Sequence, residues 1–133
     1  MMRPLDSLAT VYLCVEPVDF RLQINGLAAR VQEALLLDPL SAQLFGFTNR
    51  QRSRVKVLYW ERNGFVLWQK RLERDRFHWP RGDGATVVLN GQELNWLLDG
   101  FDLRHWRPHA RLHYAYVARA PPQQKLPGLT EPG

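Results

Sequence analysis

The sequence predicts a single α+β domain, in which a mainly antiparallel sheet with a central β-hairpin carries two helices. A length of 133 residues suits one domain with its own core. Several runs of β-branched and aromatic residues have the period of strands, and two segments have the apolar period of helices. We expect the domain to span residues 1–119. Residues 120–133 hold four of the nine prolines and no apolar period, which predicts a disordered proline-rich tail.

The N-terminal part is predicted to form a strand and then a helix. Residues 10–15 are mostly β-branched or aromatic and are followed by Pro17, which is typical of a strand and its end. One helical stripe then runs through Ile24, Leu27, Ala28, Val31 and Leu35 and predicts a helix over residues 24–37. Asp38-Pro39 ends this helix, because proline disfavours helical geometry in the residue before it.

The middle of the chain is predicted to be β structure, with strands over residues 43–48, 54–60 and 65–72. Asn63-Gly64 between two apolar runs is a strong hairpin signal, because both residue types tolerate a positive φ. Two registers remain open. A two-residue loop pairs Tyr59 with Trp68, whereas a three-residue loop with a glycine bulge pairs Trp60 with Val66.

The C-terminal part is predicted to add strands and a second helix. Residues 77–80 are a short extended piece, and residues 85–89 read as a strand. Asn90 is expected to cap a helix that ends near Gly100, with Glu93 as its capping-box partner. Residues 110–117 alternate in polarity and predict one more edge strand.

The net charge of +5 is concentrated in one segment. Residues 50–81 carry ten basic and three acidic side chains, a net charge of +7, whereas the remainder has a net charge of −2. Fifteen of the 18 basic residues are arginine, whose planar guanidinium matches phosphate geometry. A GC-rich genome is an alternative explanation for that ratio, but it does not explain where the charge lies.

Four cations follow a period of two at the start of this segment: Arg50, Arg52, Arg54 and Lys56. If the strand extends back through them, they share one face and repel one another, which an anionic partner such as DNA would offset. A solvated surface is the alternative. The interleaved aromatic residues are either core or stacking platforms. The candidate nucleic-acid-binding residues are Arg50, Arg52, Arg54, Lys56, Arg62, Lys70, Arg71, Arg74 and Arg76.

Residues for catalysis or metal binding are scattered. The carboxylates occur singly, and Pro108 interrupts the spacing of His105, His109 and His113. Cys14 is the single cysteine, which excludes an internal disulfide. We therefore expect no enzyme, metal, cofactor or small-molecule substrate. The first twenty residues lack a signal-peptide core and no run of 18 apolar residues exists, so we expect a cytoplasmic protein without membrane contact.

Several separated motifs together resemble the TnpB accessory proteins of the insertion-sequence-sixty-six (IS66) transposon family. The resemblance covers roughly residues 10–103 and includes Asp19, Arg21, Trp60, Asn63, Gly64, Phe77, Trp79 and Pro80. Leu22 stands where the family often has a basic residue, and Asp75 where it often has glycine.

The resemblance implies a non-enzymatic accessory protein that is encoded beside a separate transposase and is needed for efficient transposition. DNA and that transposase are the expected partners, with DNA bound through the basic hairpin surface. The alternative is an adaptor that docks on the transposase without binding DNA. A metal-dependent nuclease is a third hypothesis, which the scattered carboxylates disfavour.

Overall fold

A computed structural model describes residues 9–103, which fold into a five-stranded sheet and two helices. The elements in chain order are β1 (Thr10–Cys14), α1 (Ile24–Glu33), β2 (Leu44–Thr48), β3 (Arg54–Glu61), β4 (Gly64–Arg71), β5 (Thr86–Asn90) and α2 (Gly91–Leu98). The strand order is β4-β3-β2-β1-β5, with β1 and β2 parallel and the other neighbours antiparallel. The predicted α+β fold with a mainly antiparallel sheet is confirmed. The predicted strand at 110–117, the tail at 120–133 and the domain end at 119 lie outside the described residues.

The two helices cover opposite faces of the sheet. Side chains alternate along each strand, so that Val55 and Val57 belong to the core beneath α2, whereas Leu58 belongs to the core beneath α1. The helix α1 contributes Leu27 and Val31 to its core, and both are fully buried. The middle strands are therefore buried on both faces, as the apolar runs of β2 and β3 require.

The connections divide between two ends of the sheet. At one end lie the β3–β4 turn and the segment that joins α1 to β2, because Leu44 at the start of β2 pairs with Tyr59 near the end of β3. We call this the hairpin end. At the other end lie residues 15–23, 49–53 and 72–85, which we call the arginine end.

The hairpin has a register that neither sequence alternative predicted. Its two-residue turn is Arg62-Asn63, and the pairs that follow from the turn are Glu61 with Gly64, Trp60 with Phe65 and Tyr59 with Val66. Arg62 takes the positive φ of +55°, and Gly64 is already the first residue of β4. Both predicted pairings are therefore wrong, because the turn is centred one residue earlier than Asn63-Gly64. The Trp60 and Phe65 rings meet edge to face at 5.1 Å between centroids.

The two helices differ in how well the sequence predicted them. Asn90 caps α2 as expected: its side chain accepts from the Glu93 amide at 2.8 Å, and the Glu93 carboxylate accepts from the Asn90 amide at 2.9 Å. The helix α1 ends at Glu33, four residues before the predicted end. The chain leaves it through Leu36, whose φ is +57°, while the Leu37 amide donates to the Val31 carbonyl at 3.0 Å.

Candidate nucleic-acid interface

A cationic groove of about 740 Å³ opens at the arginine end, on the side of the sheet that α2 covers. Five of its lining residues are cationic and two are acidic, Asp75 and Asp99. The cations come from the 49–53 turn, the end of β4 and the β4–β5 connection: Arg52, Lys70, Arg74, Arg76 and Arg81. Four of these were predicted as nucleic-acid-binding residues. Arg81 was missed, although it lies within the basic segment 50–81.

The groove cations are free of acidic partners among the described residues. No ion pair within residues 9–103 joins Arg52, Arg74, Arg76 or Arg81 to a carboxylate. Lys70 donates one hydrogen bond from Nζ to the Leu98 carbonyl at 3.0 Å, which holds its ammonium at the groove wall beside the end of α2. Because a lysine ammonium has three donors, two remain for a ligand.

The turn that carries Arg52 is held by the Asn49 side chain. Asn49 Oδ1 accepts from the amides of Ser53 and Arg54 at 2.9 and 3.1 Å, and its Nδ2 donates to Ser53 Oγ at 3.1 Å. Arg52 itself has a φ of +60°, and its carbonyl accepts from the Phe77 amide at 2.8 Å. The β3 strand therefore begins only at Arg54, after this turn.

The expected row of four cations on one strand face does not form. Arg54 and Lys56 share the α1 face of β3, but Arg50 and Arg52 precede the strand and diverge. Arg52 lines the groove, whereas Arg50 and Arg54 line a second, polar cleft of about 650 Å³ between residues 17–20 and 49–54. The interpretation of these four residues as one exposed surface is therefore wrong, because the Asn49 turn interrupts the alternation.

Lys56 is a buried structural residue rather than a surface cation, with a side chain only 2% exposed. Its Nζ donates to the carbonyls of Phe20 and Leu22 at 2.9 and 2.8 Å and lies 4.7 Å from the centroid of the Phe20 ring. Burial, with a smaller effect of Arg54, lowers the pKa of Lys56. Lys56 therefore ties the β1–α1 connection to the sheet and is not available to a phosphate.

The remaining predicted cations lie on separate surfaces. Arg62 is exposed at the hairpin end, away from the groove. Arg71 ends the edge strand β4 directly opposite Arg54, and its guanidinium pairs with Glu73 at 3.0 Å. Like charges placed directly opposite each other on neighbouring strands are destabilising, and Glu73 offsets the charge of Arg71 at this position.

The motif residues Asp19 and Arg21 form an exposed ion pair next to the polar cleft. Arg21 Nη2 lies 2.6 Å from Asp19 Oδ2, and the Arg21 amide also donates to Oδ1 at 2.9 Å. These bonds lower the pKa of Asp19 from 3.8 to about 2. Leu22 is half-buried and packs against the core beneath α1.

The motif aromatics Phe77 and Trp79 belong to the core. Phe77 is 1% and Trp79 is 3% exposed, and Trp79 Nε1 donates to the carbonyl of Cys14 at the end of β1, at 2.9 Å. Neither ring is therefore available for stacking on a base. His78 between them is exposed in the groove, where its Nδ1 lies 3.8 Å from Asp102 Oδ2.

Other site chemistries find little support in residues 9–103. There, no three His, Cys, Asp or Glu side chains lie close enough to hold a metal ion, and no helix is long and apolar enough to cross a membrane. Cys14 is buried, and burial raises the pKa of its thiol. His105, His109 and His113 lie outside the described residues.

Comparison with known proteins agrees with the sequence motifs. Residues 9–108 match the family described as IS66 Orf2 like protein. The uncharacterized protein y4hO of Sinorhizobium fredii is 39% identical over 111 residues, which cover 80% of this chain and 96% of that relative. The uncharacterized protein y4jC of the same organism is 34% identical over 92 residues, covering 69% and 79%. No solved structure matches the chain.

The matched region includes all seven helices and strands and the whole arginine end. The IS66 Orf2-like proteins are transposition accessory proteins and are not known as catalysts. This chain belongs to the IS66 Orf2-like family of transposition accessory proteins.

Proposed function

We propose that this protein acts in transposition without catalysis, by binding the phosphate backbone of DNA across its arginine end. The observation that carries the proposal is the groove with five cationic and two acidic side chains. Four of those cations have no carboxylate partner within residues 9–103, so their mutual repulsion is not relieved inside the described domain. A polyanion relieves that repulsion and releases the counterions condensed on DNA.

The second source of support is where these cations come from. They project from a turn, a strand end and a loop that meet at one end of the sheet, and Arg50 and Arg54 continue the positive surface into the neighbouring cleft. We therefore expect the DNA backbone to cross the end of the sheet rather than to follow the β3–β4 hairpin. Contacts of this kind position DNA but do not read its sequence.

A salt titration tests the proposal. If all five groove cations contact phosphates, log K falls with log salt at a slope of about −4.5, from about −0.9 per phosphate. The variant Arg52→Gln/Arg74→Gln/Arg76→Gln keeps most of each side chain but removes three charges. We expect its slope to fall to about −2, measured by fluorescence anisotropy on a 20-base-pair duplex.

Arg62→Gln is the matched control. Arg62, like Arg52, is an arginine with a positive φ, but it lies at the hairpin end, roughly 25 Å away at about 3.3 Å per residue along β3. Its slope should equal that of the wild type. No binding at low salt, or an unchanged slope in the triple variant, contradicts the proposal.

The second candidate function is an adaptor that contacts the transposase of the same element. It is favoured by two exposed leucines at the hairpin end, Leu36 and Leu40, which lie away from the cationic groove. The two functions are compatible, because they use opposite ends of the sheet.

A further inference from the structure

The connection between α1 and β2 exposes two large apolar side chains at the hairpin end. Leu36 is 81% and Leu40 is 53% exposed, and within residues 9–103 the only other exposed large apolar side chain is Val88, at 54%. Scattered single apolar residues on a surface need no explanation. Leu36 and Leu40 lie four residues apart in one short connection, and we call these two exposed side chains the apolar projection.

The backbone of Leu36 adopts an unfavourable conformation for a leucine. Its φ of +57° lies in the left-handed region that a side chain with a Cβ disfavours and that glycine normally occupies after a helix. This conformation lets the Leu37 amide reach the Val31 carbonyl and close the end of α1. Glycine would adopt this backbone conformation at a lower energy. The leucine side chain is exposed, so its burial does not compensate for the unfavourable conformation. Strain at an exposed apolar residue suggests a role outside the fold.

The charges around the projection favour a protein partner over nucleic acid. Glu33 and Asp38, which flank Leu36 along the chain, are both exposed, and the single basic residue of the last turn of α1, Arg30, is half-buried. A phosphate backbone would be repelled by the two carboxylates. An apolar pocket with a neutral or basic rim on another protein matches both the leucines and the charges.

The two leucines alone expose far less area than a stable interface with a second copy of this chain would bury. A leucine side chain offers on the order of 100 Å² of apolar surface. A stable symmetric interface buries about 800 Å² on each partner. Two leucines are instead the size of an anchor that enters a pocket on a larger partner, around which other contacts form.

We propose that Leu36 and Leu40 form a docking anchor for the transposase with which this accessory protein acts, and that the transposase receives them in an apolar pocket. The inference rests on membership of a transposition accessory family and on the α1–β2 connection, and not on DNA binding at the arginine end. The protein then links two partners, one at each end of its sheet.

Leu36→Gly tests this proposal well, because the substitution removes the side chain and relaxes the backbone at the same step. With purified, nuclease-treated transposase as the probe, we expect at least a tenfold loss of affinity by calorimetry. Leu36→Met keeps a flexible apolar side chain and should bind within about threefold of the wild type. Val88→Ala, which trims the exposed apolar residue of β5, is the matched control and should bind like the wild type.

Two further measurements separate loss of docking from other effects. Leu36→Gly should unfold at the same temperature as the wild type or higher, so that lost binding does not reflect lost structure. Its salt slope for duplex DNA should be unchanged, so failure of this proposal and failure of the DNA-binding proposal are distinguishable.

Four results would overturn the inference. The first is wild-type protein that does not bind the transposase, and the second is Leu36→Gly that binds it as tightly as the wild type. The third is a wild-type dimer, in sedimentation, that Leu36→Gly converts to a monomer, which assigns the surface to a second copy. The fourth is slow thiol labelling of Leu36→Cys in a Cys14→Ala background. Slow labelling would mean that residue 36 is covered within the protein itself. Because β1 begins at the hairpin end, residues 1–8 of the same chain would then be the segment that covers it.

Discussion

Replacing Lys56 by methionine tests whether a buried ammonium holds the arginine end together. Methionine has a similar length and fits an irregular site, but it cannot donate a hydrogen bond. The carbonyls of Phe20 and Leu22 would lose donors that lie at 2.9 and 2.8 Å. The β1–α1 connection, which forms one wall of the polar cleft, would then lose its attachment to β3.

The expected magnitude follows from opposing terms. Each carbonyl left without a donor costs about 1–3 kcal/mol, and the lost contact of the ammonium with the Phe20 ring adds about 0.5–2 kcal/mol. Lys56 is only 2% exposed, so burying its charge costs desolvation energy. The neutral methionine avoids this cost, which offsets the loss by a few kcal/mol. We expect a net loss of about 2–3 kcal/mol in the free energy of unfolding. For a domain of this size, that lowers the Tm by roughly 10–20 °C.

Thermal and urea unfolding followed by circular dichroism measure this loss. Gln69→Met is the matched control, because Gln69 is the exposed cross-strand neighbour of Lys56 and its replacement should change stability by less than about 0.5 kcal/mol. Equal or greater stability of Lys56→Met would refute the reasoning, since burial of the ammonium would then outweigh its hydrogen bonds. A salt slope for DNA reduced by about 0.9, with stability unchanged, would instead identify Lys56 as a phosphate ligand.

Three further substitutions have defined outcomes. Gly46→Ala should destabilise the fold by about 1–3 kcal/mol in urea unfolding, because the new Cβ would lie 2.6 Å from Cδ2 of the fully buried Leu13. Asp75→Gly should raise stability by about 0.5–1 kcal/mol, because Asp75 is exposed at a φ of +65°; a loss in the same assay would contradict this. The Asp19 pKa of about 2 lies below its ordinary value of 3.8, so the pair with Arg21 stabilises the fold above that ordinary pKa and loses its effect as pH falls towards 2. The Tm difference between wild type and Asp19→Asn should therefore shrink from pH 5 to pH 2, and a constant difference would exclude this linkage.

The elements of the fold were predictable because their signals are local. Composition and period placed β1, β2 and β5 to within a residue or two, and Asn90 with Glu93 specified the start of α2. The parallel pairing of β1 with β2 was not predictable, since no local signal states which strand edges meet. The end of α1 was misplaced because Leu36 adopts a backbone conformation that its residue type does not indicate.

The pattern of apolar residues does not distinguish the predicted register of the hairpin from the observed one. The predicted pair Tyr59 with Trp68 and the observed pair Val57 with Trp68 differ by a slip of two residues. A slip of two leaves every side chain on the same face, so burial cannot choose between these registers, whereas a slip of one reverses the faces. The choice depended on the turn, and Arg62 occupies the position with positive φ where Asn63 or Gly64 was expected.

The candidate site was predicted in part. The sequence shows how much positive charge the segment 50–81 carries, but it does not show where each basic side chain points. The strand was predicted to begin at residue 54, but the turn before it contains neither glycine nor proline, so nothing excluded a strand that extends back through Arg52. Lys56 did leave a usable signal. It is the single charge in the run 55–60, whose other residues are apolar at both odd and even positions. A strand of that kind is buried on both faces, and a lone cation within it is therefore also buried.

The basic residues of the segment 50–81 are concentrated at one end of the sheet and not on one of its faces. Of the ten basic residues in 50–81, Arg62 lies in the hairpin turn, and most of the others belong to connections or strand ends at the opposite end. Three connections that are distant in sequence meet there because β1, β2 and β4 all finish at that end. Since the cations stand on separately anchored segments, loss of one segment's charges should weaken the affinity for DNA stepwise. Loss of the Lys56 hydrogen bonds should instead detach the β1–α1 connection from β3 and so change the shape of the neighbouring polar cleft.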